Sequence, residues 1–213
     1  MILLFNTSFM TEKKYTMLCL GDSYTIGEAV EESEGFPMQT IQLLKKEKID
    51  FEKPIIIAKT GWTTDELASA IRERNLRHKY DVVTLLIGVN NQYRGRDLEN
   101  YRHEFRELLT TAIAYANGKP AHVFVLSIPD WGVTPFGHKD KRGEKKIAEE
   151  IDLFNAINKE ETLQAKAHYI DIAPGSCEAK TNPALIAGDG LHPSGKMYGD
   201  WAEKLGEGVK KLI

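Results

Sequence analysis

Ser23 stands in the stretch Cys19-Leu20-Gly21-Asp22-Ser23-Tyr24-Thr25-Ile26-Gly27-Glu28, directly after a short apolar run. Its hydroxyl is the first group in the chain placed to act as a nucleophile. A serine hydroxyl is weak at neutral pH, so it needs a base to take its proton and an acid to orient that base and stabilise its charged form. His192 offers the base in Ala187-Gly188-Asp189-Gly190-Leu191-His192-Pro193, with Asp189 three residues before it on a glycine-rich turn. Such a turn lets the Asp189 carboxylate accept the Nδ1 proton of the imidazole while Nε2 faces Ser23. Taken singly, each element also has a plainer reading. Gly, Asp and Ser all favour turns, and Asp-x-x-His equally suits a capped, exposed histidine.

Acyl transfer asks for a second device, donors aimed at the oxygen that turns negative in the tetrahedral intermediate. The Ser23 N–H is one candidate, helped by the helix dipole if Ser23 begins a helix. Gly61 has no side chain to block approach to its N–H, and Asn90 carries an amide in Gly88-Val89-Asn90. Alone, Gly61 also serves a turn and Asn90 also caps a helix. The other five histidines fit acid–base work less well. His78 and His103 fall among charges in helical patterns, His122 and His168 open strands, and His138 lies in a polar loop. No Cys/His spacing resembles a zinc site.

These residues share a context. Short apolar runs recur at 17–20, 54–58, 82–87 and 122–126, with a weaker one at 169–172, and helical patterns lie between them. This alternation is the sequence sign of a parallel sheet covered on both faces. The clearest helix starts at Asp97 as N-cap and aligns Leu98, Tyr101, Phe105, Leu108, Ala112 and Ile113 before Asn117-Gly118. A last helix follows Pro193, with Met197, Trp201, Leu205 and Val209 four apart. The economical fold is one three-layer α/β/α domain with about five parallel strands. Residues 1–15 read as an N-terminal tail and 16–213 as the domain. Ligands in such sheets sit beyond the carboxyl ends of the strands, where Ser23, Gly61 and Asn90 fall.

Gly21-Asp22-Ser23, Gly61, Gly88-Val89-Asn90 and Asp189-Gly190-Leu191-His192 resemble, in order and spacing, the blocks of the SGNH, or GDSL-type, hydrolases, from about residue 16 to the end of the chain. The resemblance implies a flavodoxin-like fold without cofactor and ester hydrolysis through Ser23, His192 and Asp189. It implies an oxyanion hole of Ser23, Gly61 and Asn90, and gives Asp22 a turn-supporting role. Two departures stand out: Asn91 occupies a position where the family commonly has Asp, and Lys59 one where Asn is frequent.

Substrate choice then falls to the loops, with Trp62, Asn91, Tyr93, Arg94 and Trp131 as candidate binding residues and ordinary packing as the alternative. The stretch from Pro129 to Gly143 reads as a mobile flap. Acetyl or other short-chain esters, including acetylated carbohydrate, are the expected substrates. Acyl transfer to an alcohol and a non-catalytic carbohydrate-binding module are the alternatives. Gly190 to Met197 mimics a phosphate-binding loop, but it lacks the Ser or Thr that would hold magnesium and carries Pro193 where backbone donors are needed. No Gly-x-Ser-x-Gly occurs, which argues against an α/β-hydrolase.

Composition is compatible with this reading. At 213 residues with 42% hydrophobic content, the chain suffices for one well-buried core. A net charge of -3 gives no electrostatic reason to expect nucleic acid or an anionic membrane surface. No run approaches the ~18 apolar residues of a membrane span. Two cysteines, Cys19 and Cys177, fit a reducing, cytoplasmic setting. The apolar opening Met1-Ile2-Leu3-Leu4-Phe5 keeps export open as a degenerate signal.

Overall fold

The structure is a computed structural model that describes residues 14–213; the tail assigned to residues 1–15 lies almost wholly outside the described residues. Five strands form one parallel sheet: β1 (Met17–Gly21), β2 (Ile55–Ala58), β3 (Val82–Leu86), β4 (Val123–Leu126) and β5 (His168–Ile170), in the order β2-β1-β3-β4-β5. β1, β3 and β4 are buried along their whole length, which explains their unbroken apolar runs.

Helices cover both faces. α2 (Phe36–Lys46) packs with α8 (Gly195–Leu212), and α5 (Leu98–Tyr115) packs with α3 (Thr64–Arg74) and α6 (Glu144–Gln164). The reversal of strand order at β1 puts crossovers on opposite faces, because each parallel connection is right-handed. Three short helices complete the set: α1 (Ser23–Ile26), α4 (Val89–Tyr93) and α7 (Ala173–Ser176). Local signals act as read. Asp97 caps α5 by accepting from the Asn100 N–H at 2.9 Å, and Asn117 and Gly118 take positive φ beyond its end. Met197, Trp201, Leu205 and Val209 form the buried stripe of α8.

Three expectations need correction. β5 opens at His168 as expected but ends at Ile170, short of the 169–172 run, because this edge strand is half exposed and lacks a continuous apolar run. His78 lies in the loop after α3, not in a helix. The segment from Pro129 to Gly143 is tied down, not a loose flap. Asp130 Oδ1 accepts from the Gly132 N–H at 2.7 Å, Thr134 Oγ1 bonds the Trp131 carbonyl at 2.7 Å, and the Phe136 N–H donates to Gly190 O at 2.9 Å. Among the described residues no helix is long and apolar enough to cross a membrane.

Register now positions the site. Gly21 at the end of β1 lies beside Ala58 of β2 and Leu86 of β3. The turns leaving these three adjacent strands therefore start from one level, about 4.8 Å apart in the hydrogen-bonding direction. Those turns carry Ser23, Gly61 and Asn90.

Candidate active site

Ser23 is the first residue of α1, and Asp22 is its N-cap. Asp22 accepts from Tyr24 N–H through Oδ1 at 3.1 Å, while its carbonyl accepts from the N–H groups of Thr25 at 3.0 Å and Ile26 at 3.2 Å. Of the N–H groups that a helix start leaves without an intrahelical partner, that of Ser23 is the one these bonds leave open. Asp22 is fully buried, and its Oδ2 has no hydrogen-bond partner. Burial pushes its carboxyl up to about 7, against the opposing Tyr24 N–H bond. It holds the turn, as the sequence reading expects.

Gly61 occupies a tight turn in which the Trp62 N–H bonds Lys59 O at 3.2 Å. Its φ of +85° with Thr60 at negative φ makes this a type II turn, whose third position favours glycine. Arg94 clamps the turn by donating to Gly61 O at 2.7 Å. Asn90 follows Gly88, whose φ is +129°; a Cβ there would collide with the Tyr101 hydroxyl, so only glycine lets the chain pass. Asn90 Nδ2 donates to Trp62 O at 2.9 Å. That bond uses one of two amide hydrogens, so the second remains for an oxygen in the cavity.

His192 sits before α8 on a turn organised by Asp189. Its Nδ1 lies 2.6 Å from Asp189 Oδ2, and Asp189 Oδ1 accepts from the N–H groups of Leu191 at 2.9 Å and His192 at 3.0 Å. Burial pushes the Asp189 carboxyl up, but these bonds outweigh it and hold it below its ordinary value. The carboxylate therefore stays ionised beside the imidazole. His192 packs edge-on against Tyr24, the neighbour of Ser23, at 5.7 Å between ring centroids.

All five residues, Ser23, Gly61, Asn90 and His192 directly and Asp189 through His192, converge on one cavity of about 180 Å³. Tyr93 and Trp131 of the candidate binding residues also line it, joined by Tyr24, Thr60, Val89, Phe136 and Leu191. The remaining candidates do other work. Asn91 is fully buried and clasps the start of α3, accepting from Thr64 N–H at 3.1 Å and donating to Thr64 Oγ1 at 2.7 Å, so it leaves no face for a substrate. Arg94 donates to Gly61 O at 2.7 Å and to Glu66 at 3.4 Å, and Trp62 packs on the core while its carbonyl orients Asn90.

Tyr24, Thr60, Val89 and Leu191 line the cavity without a signal of their own in the sequence, although each adjoins a residue that has one. Gln92, Glu150 and Arg142, which stand behind the aromatic part of the wall, have no such signal either. Trp131 Nε1 donates to Gln92 Oε1 at 2.9 Å, and Gln92 Nε2 donates to Glu150 Oε2 at 2.7 Å. Nothing in their spacing along the chain announces this.

Comparisons with known proteins bear on the family and the fold. Residues 19–199 match the model of a GDSL-like lipase/acylhydrolase family. No curated protein matches the sequence. Solved structures that superpose on the chain include a lipase/acylhydrolase from Enterococcus faecalis, 20% identical, with a TM-score of 0.70 over 92% of this chain and 96% of that one. Another is the psychrotrophic esterase EstA from Pseudoalteromonas sp., inhibited by monoethylphosphonate, 16% identical, with a TM-score of 0.70 over 93% and 98%. A third is the acetyl xylan esterase AlAXEase, 18% identical, with a TM-score of 0.70 over 91% and 99%. At these identities the likeness is one of fold.

Proposed function

Because the chain belongs to the GDSL-like lipase/acylhydrolase family, we propose that it hydrolyses small, neutral carboxylic esters through an acyl-enzyme on Ser23. Ser23 Oγ attacks the ester carbonyl as His192 accepts its proton, and Asp189 holds the imidazole by Nδ1 and balances its charge. The Ser23 and Gly61 N–H groups and the Asn90 amide receive the developing oxyanion. His192 then protonates the leaving alcohol. Water repeats the cycle on the acyl-enzyme, returning Ser23 and releasing the acid.

The observation that carries this reading is convergence. Residues from the ends of three adjacent strands and from the turn before α8 line one cavity, and among the described residues the only ionisable acid–base group on its wall besides the tyrosines is His192. No described Asp, Glu, Lys or Arg lines it, so a charged acyl or alcohol group would be desolvated without a partner. Its volume is small beside the roughly 300–1,000 Å³ of drug-sized ligand sites, which favours an acetyl or similarly short acyl group. That two of the structures sharing this fold are described as acetyl xylan esterases makes acetylated carbohydrate the first natural substrate class to try. The test is hydrolysis of acetyl, butyryl and octanoyl esters beside acetylated sugars, with Ser23→Ala protein as blank. The reading expects turnover that the blank lacks and that favours the acetyl compounds; equal rates with the blank would overturn it.

A further inference from the structure

One side of the cavity is a cluster of three aromatic rings. Ring centroids of Tyr93 and Trp131 are 5.5 Å apart, those of Trp131 and Phe136 5.9 Å, and those of Tyr93 and Phe136 6.4 Å. Tyr93 is 48% exposed and Phe136 39%, whereas Trp131 is 2% exposed. Two rings thus face solvent at the rim, and the third anchors them from below.

The anchor is held by polar groups that, among the described residues, share no hydrogen bond or ion pair with Ser23 or His192. The Trp131 indole N–H ends on Gln92, which is itself buried, and Gln92 passes the chain of bonds to Glu150 on α6. Arg142 donates to the same Glu150 oxygen at 3.3 Å and to both carboxylate oxygens of Asp140, by Nε at 3.0 Å and Nη2 at 2.9 Å. Its guanidinium carbon lies 5.3 Å from the Tyr93 centroid and 5.2 Å from that of Trp131, within cation–π range of both. With three N–H groups bonded to the two carboxylates beside it, this arginine is held against the rings.

Orientation follows from the acid–base turn. His192 must reach the oxygen of the departing alcohol, so that alcohol lies on the histidine's side of the cavity. The Phe136 N–H is bonded to Gly190 O, two residues before His192. The aromatic rim and the imidazole are therefore parts of one braced unit.

We infer that the Tyr93–Trp131–Phe136 rim receives the alcohol portion of the ester as a flat, neutral ring, and that Gln92 and Glu150 are positioning residues that set this preference by fixing Trp131. The inference rests on the esterase reading above. Loss of Gln92 leaves the buried indole N–H unpaired, and loss of Glu150 leaves the buried Gln92 amide without its own acceptor and free to turn from the indole, so in either case Trp131 loses its fixed place and the rim its shape.

The experiment compares kcat and KM for ethyl acetate and 2-naphthyl acetate, which share the acyl group and differ in the alcohol. The proteins are the parent, Gln92→Leu, Glu150→Ala and the conservative Glu150→Gln. The expected result is that Gln92→Leu and Glu150→Ala lower the naphthyl-to-ethyl ratio of kcat/KM about tenfold, mainly through KM, while Glu150→Gln keeps the parental ratio. Should Gln92→Leu fail to fold, Glu150→Ala decides, since Glu150 lies at the edge of the network with its side chain 24% exposed. An active parent whose variants keep the ratio, or lose both esters equally, overturns the inference and leaves the esterase reading standing. A parent that turns over neither ester overturns the esterase reading and this inference with it.

Discussion

His192 Nδ1 and Asp189 Oδ2 lie 2.6 Å apart, while the other oxygen of the same carboxylate takes two backbone N–H bonds from the turn that carries the histidine. Asp189 thus fixes both the backbone of the turn and the tautomer of the ring, because an ionised carboxylate at Nδ1 keeps the proton there and leaves Nε2 to accept. Asp189→Asn should keep the turn, since an amide oxygen still accepts the two N–H bonds, yet lower kcat by about three to four powers of ten through the wrong tautomer. Steady-state kinetics with an unchanged melting temperature would bear this out. A drop of less than tenfold would deny Asp189 its role.

Asn90→Ala should reduce turnover by about two to three powers of ten, the usual cost of one oxyanion donor. The same substitution frees Trp62 O, which Asn90 Nδ2 now holds at 2.9 Å. Asn90→Asp retains an acceptor-sized side chain but removes both donors, so it should lose at least as much rate. Pre-steady-state acylation rates of the two variants are the measurement, and an aspartate variant faster than the alanine one would contradict the donor assignment.

At Gly61 the expected cost comes from the backbone, not from crowding. A Cβ would come no nearer than 3.7 Å to any neighbour, the Arg94 guanidinium, but φ is +85°. An L-residue in that region costs about 1–2 kcal/mol, and the turn can escape by rotating the peptide whose N–H faces the site. Gly61→Ala should therefore lose about tenfold in kcat while Gly61→Asn, better tolerated at positive φ, loses less. The order of the two kcat values tests the type II geometry.

Asp22 makes stability depend on pH in an unusual direction for a carboxylate. Its pKa rises from 3.8 to about 7 on burial. Between those values the folded chain holds a proton the unfolded chain has released, so this contribution is complete below pH 3.8 and is lost as pH rises through 7. Asp22→Asn keeps the N-cap and carries no ionisable group. Its stability should fall less than the parent's between pH 5 and pH 8, by a few kcal/mol, because each pH unit crossed with one extra bound proton is worth about 1.4 kcal/mol. Urea unfolding at the two pH values measures the difference; parallel curves would mean that Asp22 is ordinary.

What the sequence made legible was whatever is local to a strand end. Ser23, Gly61 and Asn90 could be named because each follows an apolar run, and parallel strands place their ends along one edge. His192 could be named because its acid lies three residues away. Asn91, Trp62 and Arg94 read as substrate contacts because they share those loops, but the direction of a side chain depends on partners far along the chain: Thr64 for Asn91 and Glu66 with Gly61 for Arg94. The Gln92–Glu150 bond joins residues 58 apart on helices α4 and α6, and no periodicity announces it. β5 reads two residues too long at its end because, at the sheet's edge, half-exposed residues blur the pattern.

If Ser23 is a nucleophile activated by His192, labelling with a fluorophosphonate probe followed by mass spectrometry finds one covalent adduct, located on Ser23, formed by the parent, absent from Ser23→Ala and slowed at least a hundredfold in His192→Ala. A parent protein that stays unlabelled, or an adduct that maps to another residue, would contradict that role for Ser23.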